Sequence, residues 1–377
     1  MKLTSRERLT RIFEAKEIDR PALKLWGAGL HTPNTGYIHP DYAPVGKLAA
    51  EISDLFLTVS SPFSFNGGSR LGEFIEVSTE DTSNPTQKKR HIKLHTPKGD
   101  LYMCESYSTI GDPGYVLEHM VKEPEDIDKL LSLPYEPYPI DMKSFYDTEA
   151  ALGDRGVTMF AVPHVGMMLH EMMGSETLAY FSIDYRDELL ELEKVYFDRC
   201  YDFVKGVLAT GIKAPFNWVG PELFIPPLLT PNDFEDFVFN FDKPFCDLIH
   251  DNGCHVWVHS HNKVAKFIER FIEMGVDVLN PLEPAPNGDI ELDKVVKKYG
   301  NRIGWEGNIE IQELLMSTPD KIRPLIDECV AAGWESGRFI LCPSAGYQEY
   351  AHPSKQYIEN LLFYLQYGYD AVEACRK

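Results

Sequence analysis

Residues 254–308 read CHVWVHSHNKVAKFIERFIEMGVDVLNPLEPAPNGDIELDKVVKKYGNRIGWEGN. Three short apolar runs, CHVWVHS at 254–260, DVLNPLE at 277–283 and RIGWEGN at 302–308, are separated by amphipathic stretches over 263–275 and 291–299. Runs of this length predict strands, and the longer periodic stretches predict helices. Strand, helix and strand in succession imply parallel strands joined by right-handed crossovers.

The same alternation extends outward. PALKLWG (21–27), DLFLTVS (54–60), VTMFAVP (157–163) and KAPFNWV (213–219) precede the stretch and RFILCPS (338–344) follows it, making eight candidate strands. Helices are predicted over about 5–15, 187–210, 231–252, 319–333 and 354–376, several closed by Gly or Asn as helix C-caps require. Eight such units without a Gly-rich dinucleotide fingerprint favour an α/β fold of the closed (β/α)8 TIM-barrel type over a doubly wound sheet. The region 64–120 breaks the rhythm: FIEVSTEDT, KRHIKLHTPKGD and LYMCESYST alternate with period two around Pro97-Lys98-Gly99-Asp100. It is expected to form an inserted β-hairpin region on the barrel rim. With no internal repeat or linker, residues 1–377 are expected to form a single domain.

The 377 residues are 44% hydrophobic and 25% charged, enough for a large core, which excludes intrinsic disorder. A net charge of −21, relieved by no basic cluster larger than Lys88-Lys89-Arg90, argues against nucleic acid or an anionic membrane as partner. The charged N-terminus and the absence of any bilayer-length apolar run point to a cytoplasmic protein. Seven cysteines, scattered without disulfide-type or CxxC spacing, suit a reducing compartment.

In such a barrel chemistry belongs at the C-terminal ends of the strands. His259 and His261 end the fifth candidate strand and point to one side, which suggests shared metal ligation; the plainer reading is one buried, hydrogen-bonded imidazole and one at a helix start. Cys342 ends the eighth strand, as a small core residue or as a thiol converging on the same ion. Two His and one Cys with an open fourth position is catalytic zinc geometry. Glu222, just past the fourth strand in a loop stiffened by Pro226-Pro227, is a candidate fourth ligand, general acid/base or rim charge. Asn217, Asn280, Glu283, Glu306 and Asn308 stand near strand ends as candidate ligand supports or substrate contacts. Met167, Met168, Met172 and Met173 around His170, with Trp26, Phe63, Phe65 and Trp218, are candidates for a soft apolar pocket, although methionine clusters also serve as core filler. No phosphate-binding loop or Ser-His-Asp elbow occurs.

Taken in order, Arg6-Glu7-Arg8-Leu9, Ile12 through Pro21, the TPKGDLY hairpin, Leu229-Thr230-Pro231, HxH followed by Met274-Gly275-Val276-Asp277, LNPLEP and the closing Cys342 resemble the uroporphyrinogen decarboxylase superfamily, in particular its corrinoid-dependent methyltransferase branch. The resemblance spans nearly the whole chain and implies a TIM barrel. It also implies zinc held by His259, His261 and Cys342, with His261 standing where the methyl-coenzyme M forming members carry Cys. The implied reaction moves a methyl group from a small methylated substrate to the cobalamin of a separate corrinoid protein, and a homodimer is one assembly open to the chain. One thiolate leaves zinc with a formal +1, a harder Lewis acid than two thiolates would, which favours demethylation of an aromatic methyl ether over methylation of a thiol. The alternatives are a methylcobalamin:thiol methyltransferase of coenzyme M type, a decarboxylating lyase and a catalytically silent binding protein. The decarboxylases carry an arginine-rich segment after the first strand, where GAGLHTPNTGYIHPDYAP has none, and a catalytic Asp where this chain has Ser61.

Overall fold

The computed structural model describes residues 2–29, 39–111, 113–346 and 352–376; the 30–38 portion of the arginine-free segment lies outside them. Strands β1 (Ala22–Leu23) and β2 (Leu55–Ser60) come first. A separate unit follows, built from β3 (Ile75–Asp81), β4 (Gln87–Leu94), β5 (Leu101–Ser108) and β6 (Tyr115–Glu118). Then come β7 (Gly156–Ala161), β8 (Pro215–Val219), β9 (His255–His259), β10 (Val278–Asn280), β11 (Gly304–Ile309) and β12 (Phe339–Pro343).

Eight strands form one parallel sheet in the order β1-β12-β11-β10-β9-β8-β7-β2. From β2 onward each strand therefore lies beside its successor in this set, β12 pairs with β1, and the sheet curls into a (β/α)8 TIM-barrel-like fold containing all eight strands expected from the sequence. β1 and β2 share no ladder among the described residues. Asp54 bridges them: its N–H donates to the Leu23 carbonyl at 2.7 Å and its Oδ2 accepts from the Leu23 N–H at 2.9 Å. Behind the bridge, Arg8 pairs with Asp54 Oδ1 at 2.6 Å and Asp19 at 2.8 Å, and Arg20 pairs with Asp54 Oδ2 at 3.0 Å. All four side chains are buried. The 6–21 segment is therefore structural: its charges fasten the seam.

Alternation along the strands sorts side chains between lumen and helices. Val157, Met159, Trp257, Val278 and Ile340 fill the lumen with Leu9, Ile12 and Phe13 of helix Ser5–Phe13, while Phe216, Trp218, Val256 and Val258 belong to the core shared with the surrounding helices. β3–β6 form a four-stranded antiparallel sheet that contributes nothing to the barrel ladder. Its last strand, β6, is not among the patterned segments read from the sequence. After β6, the Val121 N–H donates to the Met172 carbonyl, tying this region to helix Val165–Asp184.

Three boundaries differ from expectation for local reasons. β10 stops at Asn280 because Pro281 has no N–H for the ladder. The expected 231–252 helix is three pieces, Pro231–Phe234, a π-helical turn Glu235–Phe239 and Asn240–Asp251; Pro244 cannot donate to the turn before it, and the helix widens there. The helix expected from 263 begins at Ile268, since Asn262 takes a left-handed φ of 67° and the chain turns before it can wind. No helix among the described residues is long and apolar enough to cross a membrane.

Candidate active site

β9 carries Trp257 and His259 on its lumen face, with rings stacked at 5.9 Å and 15°. The edge of Trp26, which follows β1, meets His259 at 5.2 Å, and Trp26 is itself anchored by donation from Nε1 to the Pro343 carbonyl at 3.2 Å. His259 Nδ1 lies 2.6 Å from Asn280 Oδ1 at the end of β10. Past the strand, His261 Nδ1 lies 2.8 Å from Glu283 Oε1, and the other oxygen of Glu283 accepts the Asn262 N–H at 2.9 Å. One carboxylate thus clamps both the imidazole and the left-handed turn behind it. The two imidazoles meet edge to face at 4.4 Å.

Both Nδ1 atoms face oxygen acceptors, so in its neutral form each ring carries the proton on Nδ1 and leaves Nε2 as the acceptor. That is the arrangement by which metal-binding histidines are oriented. Burial, helped by the neighbouring charges of His261 and Lys24 and opposed by the Asn280 hydrogen bond, pushes His259 down to about 3. The His259 imidazole is therefore neutral at physiological pH. For His261, burial also works against the charged form, but the Glu283 hydrogen bond and the charges of Glu283, Glu222 and Glu310 outweigh it and raise the imidazole.

Glu222 arrives from β8. Gly220 has φ of 117°, and a Cβ there would stand 2.8 Å from Met167 Cβ, so only glycine lets this turn close against helix Val165–Asp184. The turn Pro221–Phe224 then sets Glu222 near His261 and His164. Its Oε2 is buried without a hydrogen-bond partner, and burial raises its carboxyl despite both histidines. The surroundings of His261 are thus acidic and hold an unpartnered carboxylate oxygen, a donor set whose chemistry fits a divalent cation in place of the His261 proton.

Cys342 is in register with Asn308 on the lumen face of the wall, fully buried. Burial raises its thiol well above the usual range, as do the charge of Glu306 and a hydrogen bond to it, against the opposing charge of Lys24. As they stand, no three His, Cys, Asp or Glu side chains among the described residues are grouped closely enough to hold a metal ion. The structure therefore brings His259 and His261 together, sets Glu222 near His261, and leaves Cys342 beside Glu306.

The other expected residues divide by strand face. Asn217 has a buried, unpartnered Oδ1, whereas its neighbour Trp218 lies on the helix side, donating from Nε1 to Asp242 at 2.9 Å. Asn280 and Glu306 are fully buried, and Asn308 Nδ2 donates to the Leu282 carbonyl at 2.8 Å. Asn308 also borders a groove of about 860 Å³ with Glu310 and Cys329, on the outer side of the wall beneath helix Pro319–Trp334. His170 Nε2 pairs with Ser175 Oγ at 2.9 Å. Met172 and Met173 are core, and Phe65 stacks on Tyr196 with Phe63 against it. Sequence reasoning missed Lys24, Trp257, His164 and Asp242. A lysine inside the apolar run PALKLWG was a readable signal for the first. His164 Nε2 meets Asp242 Oδ2 at 3.1 Å and its Nδ1 accepts the Met167 N–H, a pairing no local pattern announces.

The profile of the family described as Uroporphyrinogen decarboxylase (URO-D) matches residues 114–355. Among solved structures, a methyltransferase from Methanosarcina mazei is similar over 97% of this chain and 99% of its own, at 14% identity and a TM-score of 0.59, a likeness of fold. A 3-keto-D-glucoside 4-epimerase from E. coli, YcjR, covers 64% of this chain and 93% of its own at 13% identity, with a TM-score of 0.34 that carries no argument. No curated protein sequence matches.

Proposed function

Because the chain belongs to the uroporphyrinogen decarboxylase family, we propose that it is a zinc-dependent methyltransferase that takes a methyl group from a small methylated substrate, preferentially an aromatic methyl ether, and delivers it to the cobalt of a separate corrinoid protein. The observation that carries this reading is the imidazole pair at 4.4 Å with both Nδ1 atoms already committed. The fold likeness to a methyltransferase supports it. Decarboxylation of a polyanionic substrate would require free cations at the mouth; the described lumen instead holds Glu222, Glu283 and Glu310 near His261, and its lysine, Lys24, is paired with Glu306.

His259 and His261 are the proposed imidazole ligands. The unpartnered Oε2 makes Glu222 the third, and Cys342 joins when its thiol leaves Glu306. When bound, zinc supplies a Lewis acid for the departing ether oxygen, and the partner's corrinoid supplies the cobalt that accepts the methyl group. Glu283 holds the His261 ring, Asn280 holds the His259 ring, and Trp26 covers the edge where a substrate ring would lie. With Glu222 as the one anionic ligand the ion would keep +1, which suits an oxygen leaving group; the Cys342 thiolate, on joining, would cancel that charge.

The test is metal content and turnover together. The purified protein should carry about one zinc per chain. His259→Ala and His261→Ala should weaken zinc by more than the roughly 10–100-fold typical of losing an outer hydrogen-bond partner. Reduced cobalamin should be methylated from methoxyaromatics in preference to methanol, methylamines or methyl-thiols, and His261→Cys should slow the ether reaction. No methylation from any ether, with robust turnover between methylcobalamin and a thiol, would reverse the assignment.

A further inference from the structure

Beneath His259 the lumen holds a buried ion pair that the proposed chemistry does not use. Lys24 Nζ donates to Glu306 Oε1 at 2.6 Å and sits over three rings, Trp26 at 4.3 Å, Phe56 at 4.4 Å and Trp257 at 4.8 Å. Asn280 Nδ2 donates to the same Oε1 at 3.0 Å, and Trp257 Nε1 donates to Oε2 at 2.8 Å. Both members of the pair are buried. Such a pair must offset the desolvation of both ions, so stability alone is a weak reason for it.

The polarity of these bonds supplies another. Glu306 takes hydrogen bonds from Lys24, Asn280 and Trp257 as well as from the Cys342 thiol, and a carboxylate in that role is acceptor-only. Asn280 must then turn its NH2 toward Glu306, which aims its carbonyl oxygen at His259, and a carbonyl can only accept. The proton of His259 is thereby fixed on Nδ1. We propose that Lys24 and Glu306 are positioning residues which, acting through Asn280, lock His259 in the Nδ1–H tautomer and keep Nε2 as the bare acceptor nitrogen. What Nε2 serves rests on the zinc reading above; the tautomer itself does not. Trp257 has two parts in this device, one edge bonded to Glu306 and one face stacked on the ring being oriented.

The inference is tested on the full chain, chelator-treated and labelled with [15N]histidine, by long-range proton–nitrogen correlation, with His259→Gln assigning the resonance. The wild-type protein should show His259 as the Nδ1–H tautomer. In Lys24→Met/Glu306→Gln the glutamine amide can keep its oxygen toward Trp257 and present its NH2 to Asn280. Asn280 then turns over, and His259 should switch to the Nε2–H form while the other imidazole signals stay in place. Zinc affinity should fall about 10–100-fold with it. An Nε2–H wild type, or a folded double variant that keeps Nδ1–H, would overturn the proposal. If the double variant does not fold, Asn280→Leu removes the one link touching His259, and retention of Nδ1–H there would overturn it equally. The tautomer switch without any zinc binding in the wild type would leave the relay standing and remove the zinc reading. Tight zinc with an unmoved tautomer would do the reverse.

Discussion

Replacing Glu193 should stabilise the protein, and by an amount that depends on pH. Glu193 lies in helix Arg186–Leu208, fully buried, and neither carboxylate oxygen has a hydrogen-bond partner. Burial, reinforced by the charge of Asp242, raises its carboxyl well above the ordinary value. Leaving such a group unsatisfied costs about 1–3 kcal/mol, and Glu193→Met, of similar volume, removes that cost. With an unfolding entropy of about 2.1 cal/mol/K per residue, the gain in Tm is roughly 1–4 °C. The sign of the pH effect follows from the raised pKa. Below about pH 4 the carboxyl is protonated in both states and contributes nothing. As pH rises past the unfolded value, the unfolded chain releases a proton that the folded chain keeps, so wild-type stability falls by about 1.4 kcal/mol per pH unit until the folded pKa is reached. Urea unfolding of wild type and Glu193→Met at pH 5, 6 and 7 should show the variant's advantage widening with pH. A pH-independent difference, or a variant less stable at pH 7, would refute this account of the site.

Asp54→Asn should cost up to about 3–5 kcal/mol, because it takes one buried anionic partner from each of Arg8 and Arg20, which keep Asp19 and Glu373 respectively; denaturant midpoints measure it. Burial would raise the Asp54 carboxyl, but Arg20, Arg8 and the Leu23 amide outweigh burial and lower it. Its stabilisation is therefore full above about pH 4 and lost as pH falls through the folded value, so the acid-unfolding limb should be shallower in the variant. Gly220→Ala should cost about 1–3 kcal/mol by forcing a side chain into φ of 117° against Met167. Because that turn carries Glu222, zinc affinity should drop in the same variant; intact affinity would detach Glu222 from the site.

The barrel was legible because each wall strand is a short apolar run between helical stretches, and the lumen-facing pair His259 and His261 followed from period-two geometry alone. What stayed hidden depends on partners far away in sequence. Cys342 could be placed at a strand end, but not beside Glu306, since the bond joining them is a matter of side-chain reach. Trp218 as pocket lining and Asn217 as a substrate contact cannot both hold, because adjacent residues of a strand face opposite sides, and Trp218 takes the helix side. Glu193 looks like one more charge in LLELEK, yet it falls on the stripe Leu189, Leu192, Tyr196 and Cys200 that the helix buries. The π-helical turn before Pro244 changes a helix that simple periodicity reads as continuous.

The seam of the barrel also sets an order of events. Leu23 of β1 pairs with Leu341 of β12, and its ladder covers two residues. On a ribosome adding about 5–20 residues per second, the edge to which β1 belongs is completed roughly 15–60 seconds after β1 itself is made. Through that interval β1 has Asp54 as its neighbour, one N–H and one carboxylate oxygen supplied by the start of the next strand. The bridge that closes the finished barrel is thus also the first link between β1 and the start of another wall strand that the growing chain can make.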